Sequence, residues 1–321
     1  MTASARLLYL DQNAWIALAH GSWDGAAHPV EHAALTRVVR ALQAGQIVVP
    51  LSFTNIYETS KINDPVRRTH LAHVQAAISG GKVIRSRRRI FETTLIQHIA
   101  RRTKMPIPPP SDHWFLSDLW FESAAEYAPD TFGFEISERV LDVFRQNPAH
   151  ALFTYLADPD DAVRIEGVRR YSAGSEELIR KLEARRSLAA GESFALRLRA
   201  YGAQLIIDEL DFIVLTARRL GLDWSNIHDI GPSVLKSIVT EVPIMNAERE
   251  LVVRLEDQDR RTNENDLRDM ASFAAALPLV DILVGEKAFV NLSRQARLGE
   301  KYDTVLLTKV SELTDDLLAK T

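Results

Sequence analysis

With 321 residues, 46% of them apolar, the chain can build a sizeable core, as one large domain or two ordinary ones. It has no cysteine, which removes disulfides, thiolate metal sites and cysteine nucleophiles and suits a reducing compartment. A formal charge of −4 argues against indiscriminate coating of nucleic acid, so a nucleic-acid substrate would have to be held by a local basic patch or a bound metal. No apolar run is long enough to span a bilayer, and Met1 to Arg6 lacks the pattern of a signal peptide. The expectation is a cytoplasmic protein with no membrane partner.

The chain opens on RLLYLDQNAW, Arg6 to Trp15, an apolar run that ends at Asp11. Such a run reads as a buried strand, and in an open α/β sheet ligands sit beyond the carboxyl ends of the strands. A helix is expected over Ala14 to Ala19, then a loop from Gly21 to Pro29 and a helix from Val30 to Ala44 stopped by Gly45. QIVVPL, Gln46 to Leu51, is a second strand. Strand, helix and strand in so short a space predict a right-handed parallel crossover. Ser52 is the expected N-cap of a helix carrying Glu58, and Pro65 to Ile78 is a further helix ending at Gly80 and Gly81, before a third strand at Lys82 to Ile84.

From Arg85 to about residue 244 strand-like runs almost vanish. Helical periods recur at Ile90 to Ala100, Glu135 to Phe144, Asp161 to Arg170, Glu176 to Leu188, Glu192 to Leu220 and Ser233 to Thr240. This predicts a helical insertion, residues 85–244, within an α/β domain made of residues 1–84 and 245–321. The closing part restores the opening pattern: a helix over NDLRDMASFAAAL with Asn265 as its cap, a strand at Val280 to Val284 leading into Glu286, a helix from Ala288 to Arg297, and a last strand at Thr304 to Leu307.

The acids then fall into a pattern. Asp11 ends the first strand, Glu58 rides the helix after the second, Asp266 and Asp269 stand three apart on a helix, and Asp281 and Glu286 bracket another strand. Carboxylates gathered at one sheet edge repel unless something positive lies between them, and hard oxygen ligands select Mg²⁺ or Mn²⁺. Taken singly, each has a structural explanation: Asp11 and Asp266 as helix-terminal groups, Glu58 on a solvated face, Asp281 bound to backbone N–H groups. Those explanations leave the common position at strand ends unaccounted for.

LYLDQNAW resembles the first motif of PIN-like domains, with Asp11 at the metal acid and Asn13 at a frequent Asn. PLSFTNIYET resembles the second, Ser52 and Glu58 matching the small hydroxyl residue and the Glu. NDLRDMASFAAALPLVDILVGEKAF resembles the third and fourth, with Asp269 the better match to the helical acid and Asp266 its neighbour. Glu286 stands where many members carry Asp, and Asp281 matches an additional acid. The resemblance covers residues 6–84 and 262–310 and leaves the helical middle unmatched.

It implies a three-layer α/β/α fold with a central parallel sheet and a metal-dependent endonuclease, in particular an endoribonuclease. Asp11, Glu58, Asp269 and Glu286 would be catalytic, these four with Asp266 and Asp281 would ligate Mg²⁺ or Mn²⁺, and Asn13, Ser52 and Arg261 would position substrate. RNA is the implied partner. An inhibitory protein, as in a toxin and antitoxin pair, and a dimer are compatible with it, and the sequence specifies neither. The alternative is a catalytically silent PIN-like module that binds a protein or nucleic acid. A phosphohydrolase with an aspartyl nucleophile is a weaker third, because Asn13 occupies the place where a second Asp is usual.

Other features admit two explanations each. RSRRR, Arg85 to Arg89, could track a phosphate backbone or pair with acids of the insertion. Arg249, Arg254, Arg260 and Arg261 could reach substrate or be surface charge. His28 with His32 and His70 with His73 have helical ligand spacing but no third ligand, and Trp114, Trp120 and Trp224 suit a core better than base stacking.

Overall fold

Strand β1 (Arg6–Leu10) is buried on both faces: Leu8 and Leu10 enter one apolar core and Leu7 and Tyr9 the other. The computed structural model that shows this describes residues 5–128, 135–158, 160, 179–188, 191–258 and 263–319. β1 pairs in parallel with β2 (Ile47–Val48) on one side and β5 (Ile282–Val284) on the other, and β6 (Val305–Leu307) pairs in parallel with β5. The sheet order is β2-β1-β5-β6. Its two halves therefore come from opposite ends of the chain, as expected from the returning strand and helix pattern. Leu51 forms a parallel bridge to Val83 of β3 (Val83–Ile84), and β3 pairs antiparallel with β4 (Leu116–Ser117), a short strand the sequence pattern does not reveal. The chain is mostly helical around this small parallel sheet, an α/β protein. No helix among the described residues is long and apolar enough to cross a membrane.

Helices α1 (Gln12–Trp23) and α2 (Pro29–Gln43) follow β1, and α3 (Phe53–Ser60) and α4 (Pro65–Ser79) follow β2. Gly45 and Gly80 stand just past α2 and α4 with φ of +62° and +61°, the left-handed conformation that favours glycine. The loop expected from Gly21 to Pro29 begins at Asp24, because Gly21 to Trp23 form the last turn of α1. A Cβ on Gly21 would come within 2.5 Å of the Glu31 backbone, so this glycine lets α1 and α2 pack in close contact.

The middle of the chain supplies α5 (Arg87–Thr103), α6 (Glu138–Gln146), α7 (Pro148–Ala157), α8 (Phe194–Asp208), α9 (Leu210–Arg219), α10 (Pro232–Glu241) and α11 (Pro243–Glu256). The stretch expected as one helix over Glu192 to Leu220 breaks at Glu209, whose carboxylate takes Arg87 at 2.7 Å and Arg88 at 2.8 Å. The helix expected at Asp161 to Arg170 lies outside the described residues, and within Glu176 to Leu188 residues 179–188 are helical. Residue 245, read as the start of the returning domain, falls inside α11.

Apart from α6, whose Leu141 packs with Leu119 and Phe121, these helices share their cores with the sheet. Ile90, Phe91, Leu95, Ile213, Met245 and Leu251 join Leu7 and Tyr9 on one face. On the other face α7, which the helical periods miss, packs on α4 and places Leu152 and Leu156 with Leu8 and Leu10. The arginine run is consumed by ion pairs: Arg85 with Glu122 and Glu126, Arg87 with Glu209 and Glu248, Arg88 with Glu209, and Arg89 with Glu92. Arg249 and Arg254 likewise meet Glu250. Trp120 stacks on Tyr155 with ring centroids 3.6 Å apart, while Trp114 and Trp224 pack against the first core.

Because Leu152 is fully buried in the sheet core, Leu152→Ala is expected to lower the unfolding free energy in urea by about 2–5 kcal/mol. Val143→Ala on exposed α6 should change it by less than about 0.5 kcal/mol.

Candidate metal and active site

Asp11 occupies the turn between β1 and α1. Its N–H donates to the Val284 carbonyl at 2.9 Å, which fixes it against the end of β5, and its Oδ1 accepts the Ala14 N–H at 2.8 Å as the N-cap of α1. The two readings of Asp11 are thus compatible, because capping uses one oxygen. Glu286 is exposed, immediately after β5, and its backbone N–H also reaches the Asp11 carboxylate. The parallel pairing Leu10 with Val284 is what brings these two turns together.

Two further acids arrive from helices. Asp269 lies on α12 (Glu264–Ala276), which packs over the β1 face that carries Tyr9, and its carboxyl is in hydrogen-bonding reach of Glu286. Glu58 comes from α3. Burial pushes the Asp11 carboxyl up to about 7, with Glu286 and Glu58 adding to the rise and the Ala14 N–H opposing it. Burial likewise lifts Asp269 to about 9, reinforced by Glu286, Glu58 and Asp11. Glu58 is raised by burial too, against the pull of Arg268. Four carboxylates on four elements therefore act on one another at the carboxyl edge of the sheet. As placed, no three Asp, Glu or His side chains among the described residues are close enough together to hold one ion.

Arg268 accounts for part of that spacing. Its guanidinium is buried and donates to Glu58 Oε1 at 3.2 Å, to Glu264 Oε1 at 2.6 Å and to Asn265 Oδ1, clamping α12 to α3. The i, i+4 spacing of Glu264 and Arg268 was the available sequence signal for the clamp. It partly neutralises Glu58 and leaves Asp11, Asp269 and Glu286 without a basic partner among the described residues.

Two of the predicted ligands stand elsewhere. Asp281 is at the amino end of β5, and its Oδ2 accepts the Leu7 N–H at 2.6 Å at the start of β1, so it belongs to the opposite edge of the sheet. Asp266 is the third residue of a capping box: its Oδ2 accepts the Asn263 N–H at 2.8 Å, and Asn263 Oδ1 accepts the Asp266 N–H at 3.0 Å. The cap of α12 is therefore Asn263, two residues earlier than the expected Asn265, because the box needs an acid three positions on. Ser52 is the N-cap of α3, as expected, and its hydroxyl lies 3.1 Å from the Tyr9 hydroxyl. Asn13 is exposed beside Asp11. Arg261 lies outside the described residues.

Several residues that hold the site carry no signal in the acid pattern. Asn55, fully buried, accepts the Ser52 N–H and donates to the Leu10 carbonyl at 3.3 Å, tying α3 to the end of β1. Gln12, Thr59 and Gln75 form a buried hydrogen-bonded chain that fastens α1, α3 and α4 directly behind Asp11. Gly285 is required by Phe273, one turn after Asp269: a Cβ there would lie 2.2 Å from the Phe273 ring. That contact seats α12 on the β5 turn and so sets Asp269 above Glu286. Ser272, on the same helix, donates to Thr54 at 2.6 Å.

Comparison of the chain with protein-family models, with curated proteins and with solved structures finds no match.

Gly285→Ala is expected to displace Phe273, lower stability by about 1–3 kcal/mol in urea, and weaken any property that needs Asp269 beside Glu286. The raised acids also predict a pH dependence. In chelator the folded chain keeps protons on Asp11 and Asp269 that the unfolded chain, with carboxylates near pH 4, has lost. Folded proton uptake exceeds unfolded uptake across this range, so stability falls as pH rises from about 4 through 7 towards 9. Melting temperature in chelator should decline from pH 5 to pH 9, and Asp269→Asn should flatten that decline.

Proposed function

We propose that the chain is a PIN-like, metal-dependent endoribonuclease whose site is centred on Asp11, Asp269 and Glu286, with Glu58 held behind them by Arg268. The observation that supports this is the mutual crowding of acids from four separate elements at the carboxyl edge of a parallel sheet, where burial and like charge raise Asp11 and Asp269 well above ordinary carboxylates. Structural acids relieve such crowding by pairing with a cation. Asp11, Asp269 and Glu286 have no described arginine or lysine on them, whereas Glu58 does.

The donor set suits a hard divalent ion: carboxylate oxygens only, without thiolate or imidazole. Asp11, Asp269 and Glu286 would hold Mg²⁺ or Mn²⁺, which supplies an activated water and neutralises charge on the departing oxygen of a phosphodiester. The chain's own residues prepare that site. The Ala14 N–H fixes the Asp11 carboxylate, and the Gly285 and Phe273 contact aligns Asp269 with Glu286. Protons held on Asp11 and Asp269 without a cation would leave as one binds, so Mn²⁺ uptake would release protons.

The Arg268 and Glu58 pair favours one other reading, a catalytically silent module, since it already satisfies one acid without a metal. Cleavage of single-stranded RNA separates the two. The nuclease reading expects Mn²⁺-dependent cleavage that falls by at least about a hundredfold in Asp11→Asn and stops in chelator, with a rise in melting temperature on adding Mn²⁺. An Asp11→Asn protein as active as the parent, or undiminished cleavage in chelator, discards it. No Mn²⁺ stabilisation and no cleavage would leave the silent module.

A further inference from the structure

The arginine run that a sequence reader would lay along a phosphate backbone is already spent on acids, so the basic residues that grip substrate must be sought elsewhere. A groove of about 440 Å³ opens at the carboxyl ends of β1, β5 and β6, and its lining contains Asp11, Asn13, Glu31, Glu286, Lys287 and Lys309. Both lysines are exposed, and neither forms an ion pair with a described residue. They come from the turns after β5 and β6, so the parallel pairing of those strands sets them at the same edge as the acids.

Resting on the nuclease reading, we propose that this groove is the backbone-binding subsite of that same site: Lys287 and Lys309 take phosphates of the RNA strand flanking the one to be cut, with the Asn13 amide in the same groove. The charge argument gives the order of events. With Asp11, Glu286 and Glu31 in its wall the bare groove repels phosphate, and a divalent ion on the acids reverses that balance, so strand binding follows metal binding. The lysines act as mobile point charges and bring no base preference, so the groove contributes affinity and register and leaves sequence choice to other contacts.

The test uses the full chain with its acids intact and Ca²⁺ in place of Mn²⁺, a hard ion that carboxylates hold but that activates water poorly, with fluorescence anisotropy of a labelled single-stranded RNA across a salt series. Adding Lys287→Ala and Lys309→Ala together should weaken binding by roughly tenfold and lower the slope of log affinity against log salt by about 1.4, or 0.7 per lost phosphate contact. Arg88→Ala, on the paired run, should change neither. Circular dichroism checks that these exposed substitutions leave the fold intact. Affinity and salt slope unchanged in the double variant, or no RNA binding by the chain with both lysines present, overturns the groove. The parent reading is tested separately by Mn²⁺ uptake and cleavage in the otherwise unchanged chain. A chain that takes up Mn²⁺ and cuts RNA with the same KM when both lysines are removed loses the groove and keeps the nuclease. A chain that neither takes up Mn²⁺ nor cuts, yet loses RNA on the double substitution, loses the nuclease and the metal-first order and keeps the two lysines as phosphate contacts.

Discussion

Everything at the acidic edge depends on the parallel pairing of β1 with β5. That register joins residues 274 positions apart, Leu7 and Asp281, and through it sets the turn after Leu10 against the turn after Val284. Because all four strands of the sheet run the same way, their carboxyl ends share one edge, and the helices returning from them deliver side chains to it. Asp11 and Glu286 are adjacent for this reason and no other. The same register explains Asp281, since an acid one residue before a parallel strand must lie at the far edge.

Charge crowding at that edge is tolerated because rigid neighbours over-determine it. Asn55, Gln12, Thr59 and Gln75 are buried and hydrogen-bonded to one another or to the end of β1, so the backbone around Asp11 cannot spread to relieve repulsion. Phe273 against Gly285 does the same for α12. The strain is electrostatic, and it is relieved by protonation or by a cation. Arg268 supplies the cation for Glu58 alone. Such an arrangement is poor for stability at neutral pH and well suited to a site that must draw in positive charge.

The helical middle has a structural part in this. It contributes to the apolar cores on both faces of the sheet, so the sheet is buried as a doubly covered layer even though its strands are short. Its acids also pair with Arg85, Arg87, Arg88 and Arg89, so these guanidinium groups face carboxylates even where, as at Arg88, the side chain stays exposed.

The sequence by itself determined the strands of the parallel sheet, the caps at Ser52 and Gly45, and the identity of the acids at strand ends, because these follow from local apolar runs, turn chemistry and residue type. The resemblance favoured Asp269 over Asp266, but residue type and spacing still left Asp266 and Asp281 among the ligands, and only the capping box at Asn263 and the hydrogen bond to Leu7 take them out. Nor could the sequence find Gly285 or the groove lysines, and for Arg268 it offered only the i, i+4 spacing to Glu264. Their roles depend on which side chains lie across from them, and those distances are set by the packing of α12 on the sheet and by strand register, which bring together residues hundreds of positions apart.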